Sequence, residues 1–313
     1  MAPRISVIIA TQRRPAPLAL AARSVLVQAH IEPAEIELVV VDNDQTDSAR
    51  AAVEALKTQA PFAVVYVHEP AAGVANARNA AMAAAKGRFI AFLDDDEEAP
   101  PSWLSELDRV RQVTAADVVF GPVHGRAPAG IVRHRAYLET FFSRLDPSPE
   151  GVIARYYGCG NSMLDRESLP DPAQPFSAER NQIGGEDDML FGQMNARGAR
   201  FAWAPTAWVW EDPALERLTL AYTLRRAFAY GQGASARCAA QVPSDWRGVS
   251  RWMVIGLGQA VVFGALAVAK WIVGGAGRAA ALDRAARGLG KVFWGKPFHI
   301  HFYGRARPAG ASG

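Results

Sequence analysis

Residues 87–104, GRFIAFLDDDEEAPPSWL, pass from an apolar run directly into five consecutive carboxylates, Asp94 to Glu98, and then two prolines. Like charges at the end of a segment about to be buried need a reason. Side chains alternate along a strand, so Asp94 and Asp96 are expected to point one way and Asp95 the other. Two carboxylates converging there repel unless a cation lies between them. A divalent ion held by oxygen ligands, with a substrate phosphate completing its shell, removes the conflict. The plainer alternative is a solvated acidic turn, with Glu97 and Glu98 in water, leading into a helix that has Pro at its start.

Working outward, RISVIIAT (4–11), IELVVVD (36–42), FAVVYVHE (62–69) and ADVVFGPV (116–123) are short apolar runs that read as strands. The Ala-rich stretches 17–29, 47–59 and 73–86 have helical spacing. Strand and helix in alternation predict an α/β fold with a mostly parallel sheet flanked by helices, in which ligands gather at the carboxyl ends of the strands. Thr11, Asp42 and Asp94 fall at those ends. Residues 124–185 read as loops with a short strand, 184–198 as a helix with acids in its first turn, and 200–212 as one or two strands.

The chain has 313 residues, half of them hydrophobic, and a formal net charge of +3. That charge is unevenly spread. Residues 1–216 hold 20 Lys and Arg against 29 Asp and Glu, whereas residues 217–313 hold 14 against 2. The sequence therefore divides into an acidic body, 1–216, and a basic C-terminal region, 217–313, suited to polyanions or anionic headgroups. Two cysteines form no disulfide framework, and the N-terminus does not read as a signal peptide, which fits a reducing, cytoplasmic setting.

Residues 252–269, WMVIGLGQAVVFGALAVA, are apolar apart from Gln259 and are about long enough to cross a bilayer. Arginines on both sides select no orientation, and a hairpin or an interfacial helix would keep both basic flanks on one side. A buried helix is the alternative. The tail, KVFWGKPFHIHFYGRARP (291–308), interleaves aromatics with Lys and Arg as interfacial segments do. The apolar run favours lipid over nucleic acid as the partner of this region.

SVIIATQRRPAPLALAARSVLVQ (6–28), VVVDNDQTDSA (39–49), GVANARNAAMAAAKGRFIAFLDDD (73–96) and GGEDDML (184–190), in this order, resemble bacterial family 2 glycosyltransferases over roughly residues 4–235. The resemblance implies a GT-A fold, a nucleotide-diphosphate sugar donor, by family preference a UDP-sugar, and inverting transfer to a hydroxyl. It implies that Thr11, Arg14, Asp42, Arg78, Asp94 and Asp95 serve the nucleotide sugar, with Asp42 at the nucleobase. Asp94 and Asp96 match the family's DxD pair, Asp96 holding Mg or Mn. Asp187 matches the general base, with Glu186 beside it, and Asp188 stays open as an alternative in a row of three acids.

The sequence departs from the family in three places. TQRR stands where an aromatic residue and Asn are more usual, which leaves Arg13 and Arg14 open. DNDQTD replaces Asp-Gly-Ser. Glu211 and Asp212 occupy the place of a frequent His, so Glu211 is expected as a metal ligand or the role is absent. His68, His124 and His134 lack ligand spacing, and Cys159 has no basic partner to activate it. The resulting expectation is a transferase at the cytoplasmic face of the membrane, acting on a saccharide or lipid-linked acceptor in surface polysaccharide or glycolipid assembly. A nucleotidyltransferase would be expected to show a Gly-rich phosphate loop, and ATQRRPAP is not one. An inactive sugar- or lipid-binding protein is the other alternative.

Overall fold

A computed structural model describes residues 2–181, 184–275 and 277–300. The tail beyond residue 300 lies outside the described residues. Strands β1 (Ile5–Thr11), β2 (Ile36–Asp42), β3 (Ala63–His68) and β4 (Phe89–Phe92) alternate with helices α1 (Pro15–Leu26), α2 (Arg50–Lys57) and α3 (Val74–Ala84). Then come β5 (Glu97–Glu98), α4 (Trp103–Thr114), β6 (Val118–Phe120), β7 (Val123–Gly125), α5 (Arg135–Phe142), β8 (Gly151–Ile153), β9 (Ser162–Asp165), α6 (Glu186–Ala196), β10 (Phe201–Trp203) and β11 (Val209–Glu211). Eight strands form one sheet in the order β3-β2-β1-β4-β9-β6-β10-β8, and β5-β11-β7 form a second.

The core follows from strand periodicity. In β1, Ile5, Val7 and Ile9 face a cluster with Leu18 and Val25 of α1, Val53 of α2 and Leu107 of α4. Ile8 faces the opposite cluster, with Ala77, Ala81 and Met82 of α3 and Phe191 of α6. Strands covered on both faces read as continuous apolar runs, as β2 does with Leu38 to Val41 all buried. β1 is parallel to β2 and β4, and β2 to β3, which aligns Thr11 with Asp42 and Asp42 with His68.

Strand β9 runs antiparallel between β4 and β6, pairing its first residue, Ser162, with Phe92 and Phe120. The loop before it is thereby delivered to the carboxyl ends of β4 and β6. Asn161 anchors that loop. It is fully buried with φ of +47°, a conformation that Asn tolerates better than most residues. Its amide donates to Pro122 O at 2.7 Å and Ala207 O at 2.8 Å, and accepts from Trp103 Nε1 at 2.7 Å. Asn161→Ala strands a buried indole N–H and two carbonyls. We expect a loss of about 2–3 kcal/mol in urea unfolding.

The chain divides into two compact units, one of residues 2–124 and 143–211, the other of 125–142 and 212–300. The boundary expected after Glu216 thus falls at 211/212, and the segment 125–142 joins the C-terminal region. The reason is packing: Ala127, Leu138 and Phe142 share a small core with Leu218 and Tyr222. The second unit also contains α7 (Leu220–Ala239), α8 (Trp246–Ile272) and α9 (Arg278–Val292). Asp245 caps α8 by accepting from Gly248 N at 2.8 Å. A Cβ on Gly288 would meet Gly256 O at 2.6 Å, so glycine is what lets α8 and α9 approach so closely.

Candidate active site

The three aspartates, Asp94 to Asp96, lie in a turn between β4 and β5, not in a strand. β4 ends at Phe92, and Glu97 N donates to Asp94 O at 3.0 Å to close the turn. The alternation expected of residues 94–96 therefore does not hold. Asp95 and Asp96 go together: one guanidinium nitrogen of Arg14 donates to Asp95 at 2.6 Å and Asp96 at 3.1 Å, and Thr11 Oγ1 donates to Asp95 at 2.7 Å. Burial pushes the Asp95 carboxyl up to about 7 against the pull of Arg14. Asp94 faces the other way, toward Arg78 Nη2 at 4.0 Å, with 52% of its side chain open.

Arg78 comes from α3, whose first turn is capped from a distance. Asn181 Oδ1 accepts from Ala75 N at 3.0 Å and Asn76 N at 3.3 Å. The Arg78 guanidinium is buried, 5.5 Å from the Phe176 ring, and pairs tightly with Glu186 at the start of α6. Burial opposes its charge, but Asp187, Glu186 and Asp94 hold its pKa above the usual arginine range. Burial likewise raises the Glu186 carboxyl while Arg78 opposes the rise. The neighbouring Asp187 carboxylate accepts from Cys159 N at 3.1 Å and from Asp188 N at 2.8 Å. Asp188 itself is exposed.

Glycines bring the two carboxylate walls to one loop. A Cβ on Gly158 would lie 2.9 Å from Asp187 Oδ2, and one on Gly160 would lie 2.6 Å from Asp94 Oδ2. Arg144 fixes this loop by donating to Gly158 O at 2.9 Å, Gly160 O at 2.6 Å and Asn161 O at 2.8 Å. Burial lowers the Arg144 pKa, although Glu97, Asp94 and Glu211 attract its charge.

Glu97 is not solvated, contrary to expectation. It is 3% exposed, accepts from Asp94 N at 2.9 Å, and lies opposite Glu211 in the β5–β11 pairing. Burial, reinforced by Asp94, holds its carboxyl well above the ordinary range. Neither Glu97 nor Arg144 stood out in the sequence. Arg144 binds backbone carbonyls, which no residue pattern advertises. Burial raises the Cys159 thiol well above its usual range, in keeping with an unreactive cysteine.

Asp42 is a different matter. Its carboxylate is fully buried and accepts from Ala49 N at 2.6 Å and Tyr66 Oη at 3.1 Å, tying β2 to the start of α2. In this arrangement its oxygens serve the protein's own backbone and Tyr66, with none at the surface for the nucleobase contact expected of it. Arg13 turns to Asp44 at 2.8 Å. A cavity of about 640 Å³, lined by Arg4, Glu35, Asp108 and Arg109, lies at the amino end of β1, away from all these carboxylates.

Seven acids, Asp94, Asp95, Asp96, Glu97, Glu186, Asp187 and Glu211, surround three arginines, 14, 78 and 144. Among the described residues no three acid, His or Cys side chains form a cation cage by themselves. The donor set is hard oxygen with an excess of negative charge, which suits Mg or Mn sharing its shell with a diphosphate.

A mostly parallel sheet between helices, with an acidic turn at its carboxyl edge, is the architecture of GT-A glycosyltransferases. Residues 6–171 match glycosyl transferase family 2, and the chain belongs to that family and is a glycosyltransferase. It is similar to "Succinoglycan biosynthesis protein ExoM" of Rhizobium meliloti, 37% identical over 229 residues, 73% of either chain. It is also similar to "UDP-Glc:alpha-D-GlcNAc-diphosphoundecaprenol beta-1,3-glucosyltransferase WfgD" of Escherichia coli, 37% identical over 93 residues, 30% of this chain and 35% of that one. Among solved structures, mannosyltransferase PcManGT from Pyrobaculum calidifontis, in complex with GDP-Man and Mn2+, shares the fold with a TM-score of 0.57. Sequence identity there is 19%, over 95% of this chain and 88% of that one.

Proposed function

We propose that the enzyme moves a sugar from a nucleotide-diphosphate sugar, in first place a UDP-sugar, to an acceptor hydroxyl by a single inverting displacement. The observation that carries this reading is the loop 158–160, which sets the open Asp94 carboxylate and the Asp187 carboxylate against glycines two residues apart. Asp187, held by two backbone N–H groups, takes the acceptor's proton as its oxygen bonds the anomeric carbon and the bond to the diphosphate breaks. Glu186 and Arg78 position α6 and Asp94. Arg14 holds Asp95 and Asp96, and Thr11 supports Asp95, below the donor.

Asp96 and Glu211 would hold Mg or Mn, Glu211 lying opposite Glu97 in the β5–β11 pairing. The metal, when bound, neutralises charge on the departing diphosphate. Asp188, exposed and without the anchoring contacts of Asp187, is the less well positioned of the two.

The acceptor we propose is a saccharide or lipid-linked saccharide in surface polysaccharide or glycolipid assembly, met at the cytoplasmic face of the membrane. The names of the curated relatives and, among the described residues, the one helix long and apolar enough to cross a membrane, α8, support this. Placing the enzyme beside a lipid-linked acceptor raises the acceptor's effective concentration.

Calorimetric titration of UDP with and without manganese tests the donor site. Binding is expected to need the metal and to fall at least tenfold in Asp96→Ala, the size of loss expected when a metal contact goes. Binding indifferent to both metal and substitution would remove the donor-site assignment.

A further inference from the structure

We infer that α8 docks the enzyme on an anionic bilayer while lying in the plane of the interface, without crossing it. This rests on the membrane placement proposed above and specifies its mode. Val254, Leu257, Val261, Val262, Val268 and Ile272 recur at helical spacing and are 57–72% exposed. A soluble surface rarely keeps so continuous an apolar strip. Arg247 and Arg251 lie exposed near its start, and Arg284 lies exposed on α9, so the strip is bordered by cations that complement anionic headgroups.

The packing of α9 argues against a span. Gln259 Nε2, midway along α8, donates to Arg284 O at 2.9 Å, and Lys291 Nζ donates to Gln259 Oε1 at 2.9 Å. Helix α9 therefore runs beside the apolar middle of α8. It carries Arg284, Lys291 and the Arg287–Asp283 ion pair at 2.7 Å. Behind it, α7 is joined through Ser235 Oγ, which donates to Lys291 O at 2.8 Å. An α8 crossing the bilayer would draw these charges into hydrocarbon. An α8 lying flat sinks its exposed strip among acyl chains and leaves α9 and α7 on the aqueous side.

The test is flotation of the full chain with vesicles of phosphatidylcholine alone or mixed with phosphatidylglycerol. Cofloating is expected with the anionic vesicles, weaker with the neutral ones, and weakened by salt. The double variant Val261→Glu, Val262→Glu should lose at least tenfold of the bound fraction while still binding UDP, which shows that it folds. In a Cys238→Ser background, Val242→Cys and Val273→Cys, at either end of α8, should both react with an impermeant maleimide in inverted membrane vesicles without detergent. If one reacts only after detergent, α8 spans, and the in-plane mode is overturned while the membrane placement stands. Equal flotation on both lipids overturns the anionic preference. Flotation on neither overturns the placement itself, and a dimer split by the glutamates would then assign the strip to a second copy.

Discussion

Asp187→Asn is expected to lower kcat by about a hundredfold to ten-thousandfold, the usual contribution of a positioned general base. UDP affinity should change little, because Asp187 contacts the loop and the neighbouring backbone and not the Arg14 carboxylates. The amide cannot satisfy both Cys159 N and Asp188 N, so a small loss of stability accompanies the change and should be measured alongside it. Initial rates with a UDP-sugar and the acceptor give the decisive record. Asp188→Asn is the control. A collapse there with Asp187→Asn nearly intact would move the base one residue along.

Arg78→Met should cost about 3–5 kcal/mol of stability, the range for breaking a buried ion pair from one side. Methionine fills much of the space over Phe176 but leaves Glu186, 4% exposed, with no cation. The sign of the pH dependence follows from Glu186. Its folded pKa is already raised with Arg78 present, and it rises further without it. A raised carboxyl favours the folded state while protonated and loses that advantage as pH climbs through the folded value. The penalty in Arg78→Met should therefore be smaller at pH 5 than at pH 8 in denaturant titrations. Adding Glu186→Gln should restore much of the loss and flatten the pH dependence. A penalty independent of pH and of the second substitution would show that Arg78 acts through packing alone.

The sheet was legible because its strands are buried on both faces. Val7 to Ile9 and Leu38 to Val41 are apolar without interruption, and the helices between them have Ala-rich faces. The order of the family-like segments then pointed to Arg78, Asp94 and the acids of α6, which the fold does bring together. What failed to show has a common cause: backbone groups are invisible in a residue string. β4 stops before the acids, so their alternation is lost. Glu97 is drawn inward by Asp94 N, and Asp42 by Ala49 N. Arg144 and Asn161 serve carbonyls contributed by distant loops. β9, only the four residues Ser162–Asp165, conceals both its antiparallel direction and its delivery of the loop 158–160.

That loop limits how the enzyme could be redesigned. A Cβ at Gly158 or Gly160 would come within 2.9 Å of the Asp187 or Asp94 carboxylate, so an added side chain shifts one of the two groups proposed for the transfer, and a library randomised across this loop is expected to be poor in active clones. Changes of sugar preference, in the laboratory or in lineage, must enter from residues facing the same space from elsewhere, and effort spent on the most conspicuous loop beside the chemistry would yield the least variation.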